Sequence, residues 1–286
     1  MRITPVAILP LLPATIGCAG TIGGGDPGDA EVGTTTSAVV VVERTTDATD
    51  GPRAETSARF VRVTAPSSTT DALRAIGAAL ELPARGQCAA LASLAGGAAS
   101  LSGAGTGAQV PFVELVDVGT VSLEAAGVET RLAPRQLPDV TDVVSGVVYA
   151  RATDPALLPT SARYVLHVAG GNGLDGFDVA ALAPGDPADV HVTGEDTPGT
   201  LVAGGSSVEL TWPAAASDDV VYVDVRPNDV RCVLDAGGRG TVSTLFLDDV
   251  GTLVVHRLHR EPLRARGIDS GEVRFDFART IAYARR

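Results

Sequence analysis

Apolar residues in this chain alternate with period two far more often than they recur at helical spacing. The clearest case lies near the C-terminus. There Val273, Phe275, Phe277, Ile281 and Tyr283 face one way, Arg274, Asp276, Ala278, Thr280 and Ala282 face the other, and Arg279 alone interrupts the apolar side. Residues 37–45, SAVVVVERT, are apolar without alternation, which predicts a strand covered on both faces. Residues 57–63 can pair with it across the polar loop 47–55. From Val110 onward the signal is almost entirely β, over residues 113–118, 120–124, 143–150, 164–169, 177–182, 208–212, 220–225, 230–234, 253–258 and 273–283, with Gly, Pro, Asn and Asp between them.

Helical spacing is clearest in residues 70–82, where Leu73, Ile76 and Leu80 share a face and Thr70 is placed as N-cap. A weaker helix is predicted around Cys88, and the low-complexity residues 93–109 are predicted to be loop. Many short strands with turns between them predict a mainly β fold, an antiparallel β-sandwich of one or two lobes with one or two short helices near its N-terminal part. The expected division falls at residues 154–161. It separates an N-terminal β-rich part with the short helix, 37–155, from a C-terminal β-sandwich, 156–286. No period of 20 to 50 residues is visible, which weighs against solenoids and propellers.

Composition narrows the chemistry. All 22 basic residues are Arg, so a P-loop lysine, a Schiff-base lysine and a Ser-Lys dyad are excluded. A net charge of -12 weighs against nucleic acid as a partner, because affinity for phosphate comes mainly from basic side chains. Charge is uneven, however. Residues 257–286 hold eight Arg against Glu261, Asp269, Glu272 and Asp276, a local +4 that is expected to pair with the acidic remainder of the same fold.

The N-terminus has the order of an export signal: Arg2, then fourteen uncharged residues from Ile3 to Ile16, then Gly17, Cys18, Ala19 and Gly20. Fourteen residues broken by Pro5, Pro10 and Pro13 fall short of the ~20 that span a bilayer. The run Thr15-Ile16-Gly17-Cys18 resembles a bacterial lipobox, with Thr15 where that family usually has Leu. Together with the Gly-rich stretch that follows and an Arg-rich β body, the layout resembles exported lipoproteins of high-GC Gram-negative bacteria of the myxobacterial kind. The resemblance implies a signal peptide over 1–17, lipidation of Cys18, a tether over 18–36, and an outer-membrane place in the cell envelope, with the membrane as one partner through the lipid and an envelope protein as another. Cleavage after Ala19, which would give a soluble secreted or periplasmic protein, is the alternative, and an unprocessed apolar start is a third.

With Cys18 lipidated, Cys88 and Cys232 form an even remainder that an oxidising compartment would join. Closing a loop of that length would stabilise by ~5 kcal/mol on the chain-entropy model. Two buried thiols are the alternative. An immunoglobulin-type pin fits poorly, because Trp212 lies far after the first cysteine and close before the second.

The sharpest short motif is GGNGLDGFD, residues 170–178, which matches one nonapeptide of the calcium-binding β-roll. One copy cannot complete such a site, so a turn joining two strands is expected, with Asp175 and Asp178 as the weak calcium candidates. His256 and His259 sit three apart in a predicted strand and therefore face opposite ways, against joint metal binding. No H-E-x-x-H, C-x-x-C or G-x-S-x-G occurs. Trp212 is expected in the core, while Asp218, Asp219, Asp248 and Asp249 are expected at solvated loop tips. The expectation is a non-enzymatic envelope lipoprotein with a structural or binding role and no cofactor. An exported hydrolase with dispersed catalytic residues is the alternative.

Overall fold

The computed structural model describes residues 33–47, 51–64, 68–95, 113–140, 144–197, 199–213 and 219–286. The chain from Gly33 to Arg286 forms one compact unit. Among the described residues, the first half carries β1 (Thr34–Thr46), β2 (Arg53–Thr64), α1 (Thr69–Ala75), β3 (Cys88–Ala90), α2 (Leu91–Ala95), β4 (Val113–Leu115), β5 (Val121–Ala125), β6 (Val128–Arg131) and β7 (Ala133–Val140). The second carries β8 (Val144–Thr153), β9 (Arg163–Val168), β10 (Phe177–Leu182), β11 (His191–Val192), β12 (Glu195–Thr197), β13 (Thr200–Ala203), β14 (Ser207–Thr211), β15 (Val220–Arg226), β16 (Val230–Val233), β17 (Arg239–Ser243), β18 (Val250–Pro262) and β19 (Ser270–Arg285). The fold is mainly β, as the alternation predicts.

β19, 16 residues long, is the spine. One edge pairs antiparallel with β18 from Val250↔Ala284 to Pro262↔Glu272. The other edge pairs in parallel with β1 over residues 270–279 and then with β13 over residues 282–285. A single large sheet results, in the order β3-β16-β15-β18-β19-β1-β2-β4-β8-β7, with β12 and β13 joined at the far end of β19. Parallel pairing of the first and last long strands had no local signal, because it depends on contacts more than 230 residues apart. At its start the register is pinned by Thr36 N donating to Asp269 (2.8 Å) and by the paired hydroxyls of Ser37 and Ser270 (2.8 Å).

Two smaller sheets cover one face of the large one. The four-stranded sheet β10-β9-β5-β6 encloses a core in which Phe60, Tyr149, Tyr164, Phe275 and Phe277 are fully buried. Tyr164 and Phe275 lie 4.9 Å apart between ring centroids, inside the range where aromatic pairs add to area burial. The three-stranded sheet β11-β14-β17 encloses a second core with Val223, Leu253, Val255 and Ile281 at its centre and Trp212 at its edge. The expected division at 154–161 is corrected here: β9 and β10 belong to the first core, and both cores rest on β19. What separates them is charge and not a linker.

That separation is a row of arginines on the same face of the sheet. Arg279, the interruption seen in the alternation, donates twice to Glu195 (2.8 and 2.9 Å) and once to the carbonyl of Val190. Arg257 lies beside Asp219 (3.5 Å) and Asp189 (4.0 Å), and Arg44 beside Asp186 (3.7 Å). The partners come mainly from residues 184–195, which cross the seam between the two small sheets. Gly185 leaves room for the Arg257 guanidinium there, which would have to shift if a Cβ were added at that position. Asp219, expected at a solvated tip, is instead buried against His259 (2.9 Å) and Arg257.

A buried pair stripped of one member leaves an uncompensated charge, which typically costs about 3 to 5 kcal/mol, whereas replacing both members by apolar groups is often neutral. Glu195→Ala is therefore expected to lower unfolding free energy in urea by about 3 kcal/mol, and the double variant Glu195→Leu with Arg279→Leu to lose less than that single change. A larger loss in the double variant would contradict the seam as described.

Candidate functional site

The opposite face of the large sheet is roofed by one segment, residues 69–90. The helix predicted over 70–82 is only the seven residues of α1, capped by the side chain of Ser68, not Thr70, which accepts from Asp71 N (3.1 Å). Gly77, at φ +65, ends it. Ala72 is buried with Val61, Val63, Val113 and Leu115, and Leu73 and Ile76 pack beside them. Beyond Gly77 the chain is extended, because Leu80 and Leu82 are drawn onto Tyr222, Val233 and Leu258. Cys88, predicted to be helical, stands in β3 directly opposite Cys232, and the two form a disulfide with Cα atoms 4.0 Å apart. α2 begins only after it.

An extended segment over a sheet has backbone carbonyls that need donors. Three arginines of the sheet supply them: Arg274 to the carbonyl of Ala78 (2.8 Å), Arg260 to Leu80 (3.1 Å) and Arg231 to Glu81 (3.0 Å). Arg231 also grips Asp224 through two bonds (2.7 and 2.8 Å) and lies over the Tyr222 ring at 4.8 Å.

Tyr222 stacks on His256 (4.1 Å, 10° between planes), and both bond Asp276: the phenol donates at 2.6 Å, and Nδ1 of His256 lies at 2.8 Å. Burial raises the Asp276 carboxyl, but the charge and hydrogen bond of His256, with the bond from Tyr222, outweigh it and hold the group below its ordinary value. Nε2 of His256 is buried without a hydrogen-bond partner, 3.9 Å from Asp224. The histidine thus lies between two carboxylates, Asp276 at Nδ1 and Asp224 nearest Nε2. Burial pushes the Tyr222 phenol well above its ordinary range, and Asp276 adds to that.

Beside this network, between α1 and the sheet, lies a cavity of about 340 Å³. Its floor is Ser37, Val39, Arg260, Ser270, Glu272 and Arg274, and its wall is Thr70, Leu73 and residues 78–81. The volume falls in the ~300–1,000 Å³ range of small-molecule sites. Sequence reasoning missed it. Its floor joins the β18–β19 hairpin to β1 from the other end of the chain, and its wall was assigned to a helix.

The other residues singled out in the sequence do not converge. Cys18 lies outside the described residues. Asp175 pairs with Arg266 (3.7 Å) and Asp178 with His167 (2.8 Å), both on the surface. Residues 169–176 form the turn that joins β9 to β10, whose strands pair as Phe177↔Val168. Among the described residues no three His, Cys, Asp or Glu side chains gather as a metal would require. His256 and His259 do lie on opposite faces, His259 paired with Asp219 and raised by that bond although burial opposes it. Asp248 and Asp249 are exposed, and Asp218 lies outside the described residues.

No protein-family model and no curated protein matches the chain. Among solved structures the chain has a weak similarity to the Mu homology domain of Fcho1 from Danio rerio with a bound Eps15 peptide. The two share 10% identity over 88% of this chain and 97% of that one at a TM-score of 0.19, a likeness that carries no conclusion about fold or function.

The network has a pH signature. An unfolded aspartate titrates near pH 3.9, and Asp276 titrates lower in the fold. It therefore adds stability above about pH 4 that is lost as pH falls through its native value. Urea midpoints measured between pH 5 and pH 2.5 are expected to fall more steeply in the wild type than in Asp276→Asn, with equal slopes as the contrary result.

Proposed function

We propose that this protein is a non-enzymatic cell-envelope lipoprotein, anchored through Cys18, whose β-sandwich body has a binding role. The observation that carries the reading is the Cys88–Cys232 disulfide. It fits an oxidising compartment, and it leaves Cys18 as the odd cysteine within a lipobox-like run.

The side-chain chemistry supports a binder over a catalyst. His256 and His259 each place Nδ1 on a buried aspartate and turn Nε2 toward a second carboxylate, Asp224 or Glu261, so that neither presents a ring nitrogen to a nucleophile, and the arginines of both faces hold covering segments in place. The small cavity beneath residues 69–81, with polar and apolar sides, has room for a ligand. The membrane is one partner in this reading, through the lipid, and an envelope protein or a small molecule the other.

Mass spectrometry of the full chain expressed in a Gram-negative host and extracted from its membranes tests the anchor. The expected mass is that of a chain beginning at Cys18 with diacylglycerol on its sulfur, lost in Cys18→Ser. An unlipidated chain cleaved after Ala19, or one that keeps residues 1–17, contradicts the anchor.

A further inference from the structure

On the floor of the roofed cavity, Arg260 and Arg274 stand directly opposite each other on β18 and β19. Like charges in directly opposed positions of neighbouring strands are destabilising. An anion between the two guanidinium groups would relieve that repulsion. Glu272 only partly serves: its carboxylate oxygens lie 3.5 Å from Arg274 and 3.8 Å from Arg260, neither within hydrogen-bond distance. Glu81, the other carboxylate lining the cavity, is bonded to Arg74 at 2.8 Å. Further along the same face, Asp276 is held by Tyr222 and His256, and Glu43 shares its field with Arg59 as well as Arg274. Two arginines and one shared carboxylate leave the cavity floor with one positive charge in excess, while the Glu81 carboxylate of the wall is turned to Arg74, which also bonds Asp71.

Other donors point the same way. Ser37 and Ser270 share one hydrogen bond of 2.8 Å, which uses one of their two O–H groups and leaves the other to donate into the cavity. Thr70 adds a hydroxyl at the wall. Across from the floor the wall is apolar at Leu73, Ala78 and Leu80. Arg274 is buried and fixed by its bond to Ala78, whereas the Arg260 side chain is 41% exposed and can reach a ligand entering from solvent.

We infer that this cavity binds a small organic monocarboxylate, its carboxylate between Arg260 and Arg274 and its short apolar body against Leu73, Ala78 and Leu80. A planar carboxylate matches the fork of a guanidinium, and a single charge matches the single excess charge of the floor. This inference deepens the binding role proposed above. It does not depend on the anchor, since acylation of Cys18 is read by mass and ligand binding by heat.

Isothermal titration calorimetry on the full chain, in buffer free of phosphate and carboxylates, tests it with hexanoate as probe and with hexan-1-ol and inorganic phosphate as comparison arms. Hexanoate is expected to bind saturably at one site, at least tenfold more tightly than either comparison. Arg260→Gln should weaken hexanoate at least tenfold. Glu272→Gln, which removes the competing carboxylate, should tighten it several-fold, and this second variant decides the matter if the first fails to fold. Absence of saturable binding, phosphate binding as tightly as hexanoate, or affinity unchanged in both variants would overturn the assignment.

Discussion

β19 is covered on both faces over residues 273–279 while carrying three charged side chains there, Arg274, Asp276 and Arg279. Burying an ionised group without partners costs several kcal/mol, so a strand of this composition can be central only if both covers bring the right polar atoms. They do. On one face Arg279 is met by Glu195 and Val190 from the segment between the two small sheets. On the other, Arg274 is met by the Ala78 carbonyl, and Asp276 by Tyr222 and His256. The covers and the strand specify each other.

This explains why the sandwich has one continuous layer and one divided layer. Apolar residues at 273–277 and at 281–283 each ask for a small sheet, and Arg279 between them asks for a polar crossing. It also explains why the roof needs little secondary structure of its own. Its carbonyls are satisfied by Arg274, Arg260 and Arg231, its leucines by Tyr222, Val233 and Leu258, and its far end by the disulfide to Cys232. The cavity is the space left where the floor carries two opposed arginines and the roof arches over them.

Much of the strand content was legible because period two is a local signal. Residues 177–182 form β10 as expected, β1 is buried on both faces, and the interruption at Arg279 marked a real boundary between cores. The missed strands lacked the signal: β6 is VETR, β7 contains Pro134 and Pro138, and β17 is RGTVS, all polar or on sheet edges. The helix was drawn too long because Leu73, Ile76 and Leu80 have helical spacing, yet Leu80 is claimed by the sheet instead. The candidate site was illegible for a different reason. Arg260 stands opposite Arg274 only in one register of the β18–β19 hairpin, and β1 beside β19 is a pairing that no short window of sequence contains.

The claim that the sheet's charged side chains hold its covering segment is tested most directly by native-state hydrogen exchange on Arg274→Met with the disulfide intact. The account predicts at least tenfold faster exchange of amides in residues 78–87, including Gly86, which donates to Val233, while the central amides of β19 keep wild-type protection. Unchanged protection of residues 78–87, or equal loss of protection in β19, would contradict it.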